Sequence, residues 1–180
     1  MSALSADYQV LPNGTAYLAS IEVQDVAQYE FYDIGVMGQR VPLEVHDVRL
    51  AGTGCENCTF NWRGASAIAF NQGNYTVSFM GQLHEDHLQG IFDEKHDVNI
   101  TFPREFDIRN PLLGSLSPTG ANVTRYLDNT TSVRWNNATD FDVRFYDNER
   151  EDLLFLFGNF WIVIAIVLLL PFLMTMRKNR

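Results

Sequence analysis

The chain has 180 residues, with 22 Asp and Glu against 13 Lys and Arg, and a net charge of −9. Without the three cations of the terminal Arg177-Lys178-Asn179-Arg180, the first 152 residues carry 22 acids against 10 cations, and Lys95 is their only lysine. Such a surface repels polyanions, which excludes nucleic acid and anionic lipid headgroups as charge partners of that region.

Along those 152 residues, β-branched and aromatic residues alternate with turn signals about every 8–12 residues, the pattern of an all-β fold. The first expected strands are 8–11, 17–23 and 28–34, with Pro12-Asn13-Gly14-Thr15 turning between the first two. A fourth covers 41–50. Its apolar positions switch from odd (Val41, Leu43, Val45) to even (Val48, Leu50), which predicts a bulge near His46-Asp47. Segments 65–70 and 75–80 flank Asn71-Gln72-Gly73-Asn74 and read as a hairpin. Segments 87–92 and 98–102 read as a second pair. Residues 110–120 (NPLLGSLSPTG) read as a structured loop, because three leucines are not expected in water. Strands 122–127, 131–135 and 141–146 follow, joined by turns at Asp128-Asn129-Thr130 and Asn136-Asn137-Ala138-Thr139. Trp62 and Trp135 are assigned to the core. The expected fold is an Ig-like antiparallel β-sandwich over residues 1–148.

A short connector, 149–152, leads into 153–176, LLFLFGNFWIVIAIVLLLPFLMTM, a run without Asp, Glu, Lys, Arg or His. As a helix rising about 1.5 Å per residue, it is long enough to cross a hydrocarbon core of about 30 Å. Acidic residues precede it and the basic tail 177–180 follows it, so the positive-inside rule puts the tail in the cytoplasm and residues 1–148 outside. Trp161 is placed near the outer interface, and Pro171 is expected to kink the helix. The lipid bilayer is thus the one partner read directly from the chain. An outside domain requires export. MSALSADYQV lacks an apolar signal core, so the signal is expected either upstream of Met1 or already removed.

Seven Asn-x-Thr sequons occur, at Asn13, Asn57, Asn74, Asn99, Asn122, Asn129 and Asn137. Chance predicts about 1.5 matches for this composition, and N-glycosylation needs an exposed extracytoplasmic acceptor. The excess agrees with the charge bias of the span.

Cys55-Glu56-Asn57-Cys58 is the only cysteine feature. Outside the cytoplasm a disulfide that staples a loop is the first reading. Redox use would need Cys55 at a helix N-terminus, and nothing nearby reads as helical. A metal reading combines Cys55 and Cys58 with His84 and His87 as a Cys₂His₂ set for zinc or copper; its spacing is not diagnostic, and a polar turn is the simpler reading of His84-Glu85-Asp86-His87. His46 is read as an exposed strand residue. No nucleophile elbow, phosphate loop or dinucleotide fingerprint is present, so neither catalytic residues nor a cofactor are assigned.

The run NPLLGSLSPTG from Asn110 to Gly120, then Val133-Arg134-Trp135, then Val143-Arg144-Phe145-Tyr146 before an acidic patch and the span, resembles an uncharacterised archaeal family of membrane-anchored surface proteins, domain of unknown function 5803. The specific part covers about residues 98–160. The resemblance implies an exported β-rich domain, one C-terminal span and a cell-surface location; it implies no activity. The functional expectation is a non-enzymatic envelope or interaction module that meets other envelope proteins or glycans. The alternative is a tethered metal-binding or thiol-redox domain using Cys55, Cys58, His84 and His87.

Overall fold

The computed structural model describes residues 3–35 and 37–178, with side chains described up to Leu170. Among these, the elements in chain order are β1 (Leu4–Val10), β2 (Ala16–Glu30), β3 (Tyr32–Ile34), β4 (Arg40–Pro42), β5 (Val45–Gly52), β6 (Asn61–Trp62), β7 (Ala67–Gln82), β8 (His87–Phe102), β9 (Phe106–Asp107), β10 (Ser115–Ser117), β11 (Asn122–Arg125), β12 (Thr131–Arg144), β13 (Tyr146–Asp147) and α1 (Asn148–Lys178). The main sheet has nine strands, in the order β10-β12-β8-β1-β2-β7-β5, with β11 added on β12 and β6 on β7. The pairs β9–β13 and β3–β4 stand apart from it.

The sheet is mixed, which corrects the all-antiparallel expectation. β1 pairs antiparallel with β2 but parallel with β8, Leu4 facing His96 and Gln9 facing Thr101. A parallel pair needs a long connection, and six strands lie between β1 and β8 in the chain. One ladder runs through all nine strands, so any two layers of the domain belong to a single continuous sheet.

Its geometry comes from four long strands. β2, β7, β8 and β12 have 15, 16, 16 and 14 residues, and each is unbroken where a turn or gap was expected. The β2–β7 register shifts between Val23 and Gln28, and the β12–β8 register shifts between Trp135 and Asp140. Asp25 and Asn137 sit in these shifts with φ of 53° and 54°. Asx and Gly residues serve tight turns and bulges alike, because both need a residue that tolerates positive φ. So Asn71-Gln72-Gly73-Asn74 and Asn136-Asn137-Ala138-Thr139 bend strands instead of ending them. The bulge expected near His46-Asp47 is present, between His46 and Arg49, with Asp47 at φ 52°.

Each long strand bends at its bulge, and the two halves face each other across the core. Phe31, just past the far half of β2, packs edge-on against Phe79 of β7 at 5.0 Å. Phe141 from the far half of β12 meets Tyr8 of β1 at 5.0 Å and stacks with Trp135 from the near half of its own strand. Val10, Leu50, Ile68, Val77, Val98, Ile100, Phe102 and Val133 are fully buried between the halves. Each such side chain contributes about 1.5–3 kcal/mol relative to exposure. The far halves of β2 and β8 do not share a ladder. Side chains join β8 to β3, just past β2, instead: the Tyr32 hydroxyl donates to the Ile91 carbonyl (2.7 Å), and Gln89 Nε2 donates to the Ile34 carbonyl (2.6 Å). The result is a mostly β domain in which one mixed sheet folds over itself and stays open along one seam.

Two side chains depart from expectation. Trp62 is 48% exposed: it stands on the two-residue edge strand β6, with the Phe31 and Phe60 rings about 6.0 Å from its own. Leu112 is 79% exposed, although the rest of the 110–120 loop is held by β10 on β12 and by Trp135 Nε1 donating to the Pro118 carbonyl (2.8 Å). Trp135 itself is buried as expected.

α1 follows β13 directly. Asp147 caps it, accepting from the Arg150 backbone N–H (2.8 Å), and Arg150 pairs with Asp86 (2.8 Å). The expected connector 149–152 is therefore the first helical turn. Glu149 and Glu151 lie in that turn, where the helix dipole favours negative charge. From Asn148 to Leu170 the helix is long and apolar enough to cross a membrane, and nothing in the domain covers it. The helix runs on through Pro171 to Lys178; Asn179 and Arg180 of the expected tail lie outside the described residues.

Candidate functional site

The folded sheet has two unlike ends. At one, the helix end, α1 leaves beside β9 and β13, with the 83–86 and 11–15 turns alongside; Leu83 N–H donates to the Thr15 carbonyl (2.9 Å), and Gly14 lies against the Phe106 ring. At the other, here called the crest, the long strands bend. The crest lies away from α1 and holds a broad depression of about 910 Å³.

The bulges build that depression. Asp25 N–H donates to Asn74 Oδ1 (2.9 Å), and Gln72 Nε2 donates to Asp25 Oδ1 (2.8 Å), so the two bends of β2 and β7 hold each other. Asn137 N–H donates to Asp97 Oδ1 (3.0 Å), which fixes the bend of β12 against β8. Where β1 begins, β2 and β8 diverge around His96. This side chain is buried, stacked on Phe92 at 4.4 Å, with Nε2 2.9 Å from the Glu22 carbonyl and Nδ1 2.9 Å from the Glu94 carbonyl. The Ser5 N–H, displaced from that Glu22 carbonyl, donates to the Glu22 carboxylate (2.8 Å). Glu22, Glu94, Lys95, Asn74, Tyr75 and Asn137 line the depression. The site is polar and net acidic and carries the only lysine of the domain. It offers hydrogen-bonding and ionic groups for a polar surface partner.

Sequence reasoning did not single out His96. Flanked by Asp93, Glu94, Lys95 and Asp97, it reads as a polar surface residue, and only burial obliges it to find partners for two ring nitrogens. Which carbonyls supply them depends on the fold.

The other predicted residues are scattered. Cys55 and Cys58 are joined in a disulfide at the crest, where Cys55 bridges Gly52 opposite Tyr75. His84 and His87 close the tight 84–87 turn at the helix end, with Glu85 and Asp86 at φ 56° and 54°. From Tyr75 to Gln82 along β7 is roughly 20 Å at about 3.3 Å per residue, so the cysteines and histidines do not meet. With both sulfurs already bonded to each other, the Cys₂His₂ set is not assembled. Among the described residues no group of three or more His, Cys, Asp or Glu side chains is placed to hold a metal ion. His87 Nε2 instead faces Asp142 Oδ1 at 3.0 Å, without hydrogen-bond alignment. His46 is exposed.

Asn13, Asn57, Asn74, Asn122, Asn129 and Asn137 are exposed. Asn99 is not: it lies mid-strand in β8, where its Oδ1 accepts from Ser132 Oγ (2.8 Å) and its Nδ2 donates to Asp7 Oδ1 (3.1 Å).

Residues 4–179 match the profile of the family of unknown function DUF5803, and the chain belongs to that family. No curated protein matches it.

Proposed function

We propose that this family member is a single-pass archaeal cell-surface glycoprotein, a non-enzymatic envelope or interaction module with residues 1–148 outside and 177–180 in the cytoplasm. The observation that carries the reading is α1: an uncovered apolar helix of spanning length, capped and ion-paired directly onto a folded acidic domain. Within this reading the two facing halves of the sheet serve as the two layers of an Ig-like sandwich. The crest, farthest from the bilayer, is the face presented to other envelope proteins or glycans. Four exposed sequons lie away from the helix end, and a glycan at Asn57, Asn74, Asn122 or Asn137 would project without disturbing the core. A thiol-redox role rests on the Cys55–Cys58 disulfide alone and ranks second, since no helix N-terminus adjoins Cys55 to activate it.

Glycopeptide mass spectrometry on membranes of the native organism, paired with protease treatment of intact cells, tests the proposal. Glycans are expected at Asn57, Asn74, Asn122 and Asn137 and not at Asn99. Seven bare asparagines, on a domain protected from external protease, would instead place the domain in the cytoplasm and end the surface reading.

A further inference from the structure

The most exposed large apolar side chains of the β domain are gathered at the helix end. Leu127, Met37 and Leu112 are fully or almost fully exposed, at 107%, 93% and 79%, and Tyr126 is 53% exposed. They sit at the tips of three separate loops, and hydrogen bonds or shared clefts tie each loop to the base of α1. Leu112 is two residues from Asn110, whose N–H donates to the Tyr146 hydroxyl (3.1 Å), and Tyr146 is two residues from the start of α1. Tyr126 and Leu127 form the β11–β12 turn, closed by Tyr126 N–H on the Thr130 carbonyl (2.9 Å); the adjoining Arg125 lies 3.8 Å from Asp107, which pairs with Tyr146. Met37 tips the hairpin whose Gly35 lines one small cleft with Gln82 and His84.

The helix sets their depth. Its first five residues, 148–152, rise about 7.5 Å before the apolar run begins. The headgroup layer on each side of a bilayer is of that thickness, about 5–7 Å. Loops level with Tyr146 and Asp147 therefore hang at the outer edge of the headgroups. Solvated folds avoid clustering large apolar tips on one face without a partner, and Tyr is enriched at the membrane interface.

We propose that Met37, Leu112, Tyr126 and Leu127 form a second, peripheral contact with the lipid interface, seating the domain on the membrane around α1. This rests on the reading of α1 as a span. The contact is apolar, so it does not depend on anionic headgroups, which the acidic domain would repel. Seating fixes the crest outward and buries the turn that carries Asn129, so that sequon stays bare.

The test uses the full chain in phosphatidylcholine vesicles, with an environment-sensitive thiol label at one introduced cysteine per sample: Met37→Cys, Leu112→Cys, Leu127→Cys, Thr53→Cys at the crest, or Ile162→Cys in the span. The native cysteines are paired, so each label is unique. Quenching by a nitroxide on the lipid near the headgroup is compared with quenching by aqueous iodide. The three tip labels are expected to show at least about twofold more lipid quenching, and correspondingly less iodide quenching, than the crest label. If the Ile162 label is lipid-quenched while the tips remain open to iodide, the seating proposal falls and the span stands. Tips shielded from both quenchers would mean a protein contact, which also overturns it. An Ile162 label open to iodide would remove the span and the seating together.

Discussion

The carboxylate of Asp107 holds the helix end of the domain. Its Oδ1 accepts from the Ile108 and Arg109 backbone N–H groups (2.7 and 3.0 Å), and its Oδ2 accepts from Arg109 Nη2 (2.6 Å). Burial alone would raise its pKa, but these hydrogen bonds and the Arg109 charge outweigh burial and hold it at about 2. A carboxyl depressed in the folded state stabilises the fold at pH values above its unfolded pKa of about 3.9, and that contribution is lost as pH falls through about 2. Asp107→Asn should therefore flatten the acid-unfolding limb between about pH 4 and 2, and weaken the protein at neutral pH by about 1–3 kcal/mol, read by urea titration at several pH values. The disulfide makes the opposite case. It closes a loop between residues only three apart, so it removes little entropy from the unfolded chain. Thiol titration without reductant should find no free thiol, and the Cys55→Ser/Cys58→Ser variant should lose less than the usual 2–4 kcal/mol. A loss above that range would assign the loop more than a stapling role.

Among the elements, the long strands rely on glycines placed opposite rings. Gly90 of β8 faces Phe141 of β12, and a Cβ there would lie 2.6 Å from the ring; Gly52 faces Tyr75 in the same way. Phe141 is 1% exposed and is packed on Tyr8, Phe92 and Trp135, so it has nowhere to move. Gly90→Ala should cost about 1–3 kcal/mol by overpacking, measured by thermal or denaturant unfolding, although alanine has the higher intrinsic strand preference. The bulges behave differently. Asp25 and Asn137 sit at positive φ, so a β-branched residue there should cost about 1–2 kcal/mol while glycine is tolerated. Asp25→Val against Asp25→Gly, compared by unfolding midpoints, separates backbone strain from loss of the Gln72 hydrogen bond, which both variants share.

For the whole molecule, shared strands make the two halves of the domain one unit. β2, β7, β8 and β12 each contribute to both halves, so neither can unfold while the other keeps its ladder. Single-tryptophan variants that keep only Trp135, in the near half, or only Trp62, beside the far half of β7, should report the same unfolding midpoint. Separate midpoints would mean that the bulges act as hinges between independently stable layers.

Several features of this protein depended on composition and period alone. Twenty-four uncharged residues specify a helix long and apolar enough to cross a bilayer wherever the domain sits, because helix rise and bilayer thickness do not depend on tertiary contacts. The odd-to-even switch in 41–50 located a bulge, because side-chain period is a local property of extended backbone. Where Asn, Gly and Asp interrupt that period, the local chemistry is the same for a turn and for a bulge. Only the partner strand decides whether the chain reverses or bends, and here it bends in β2, β7, β8 and β12. The parallel placement of β1 beside β8, the burial of His96 where β2 and β8 diverge, and the distance between the cysteines and His84 and His87 all follow from that decision. They are long-range facts, set by which strands find each other and invisible in any window of the chain.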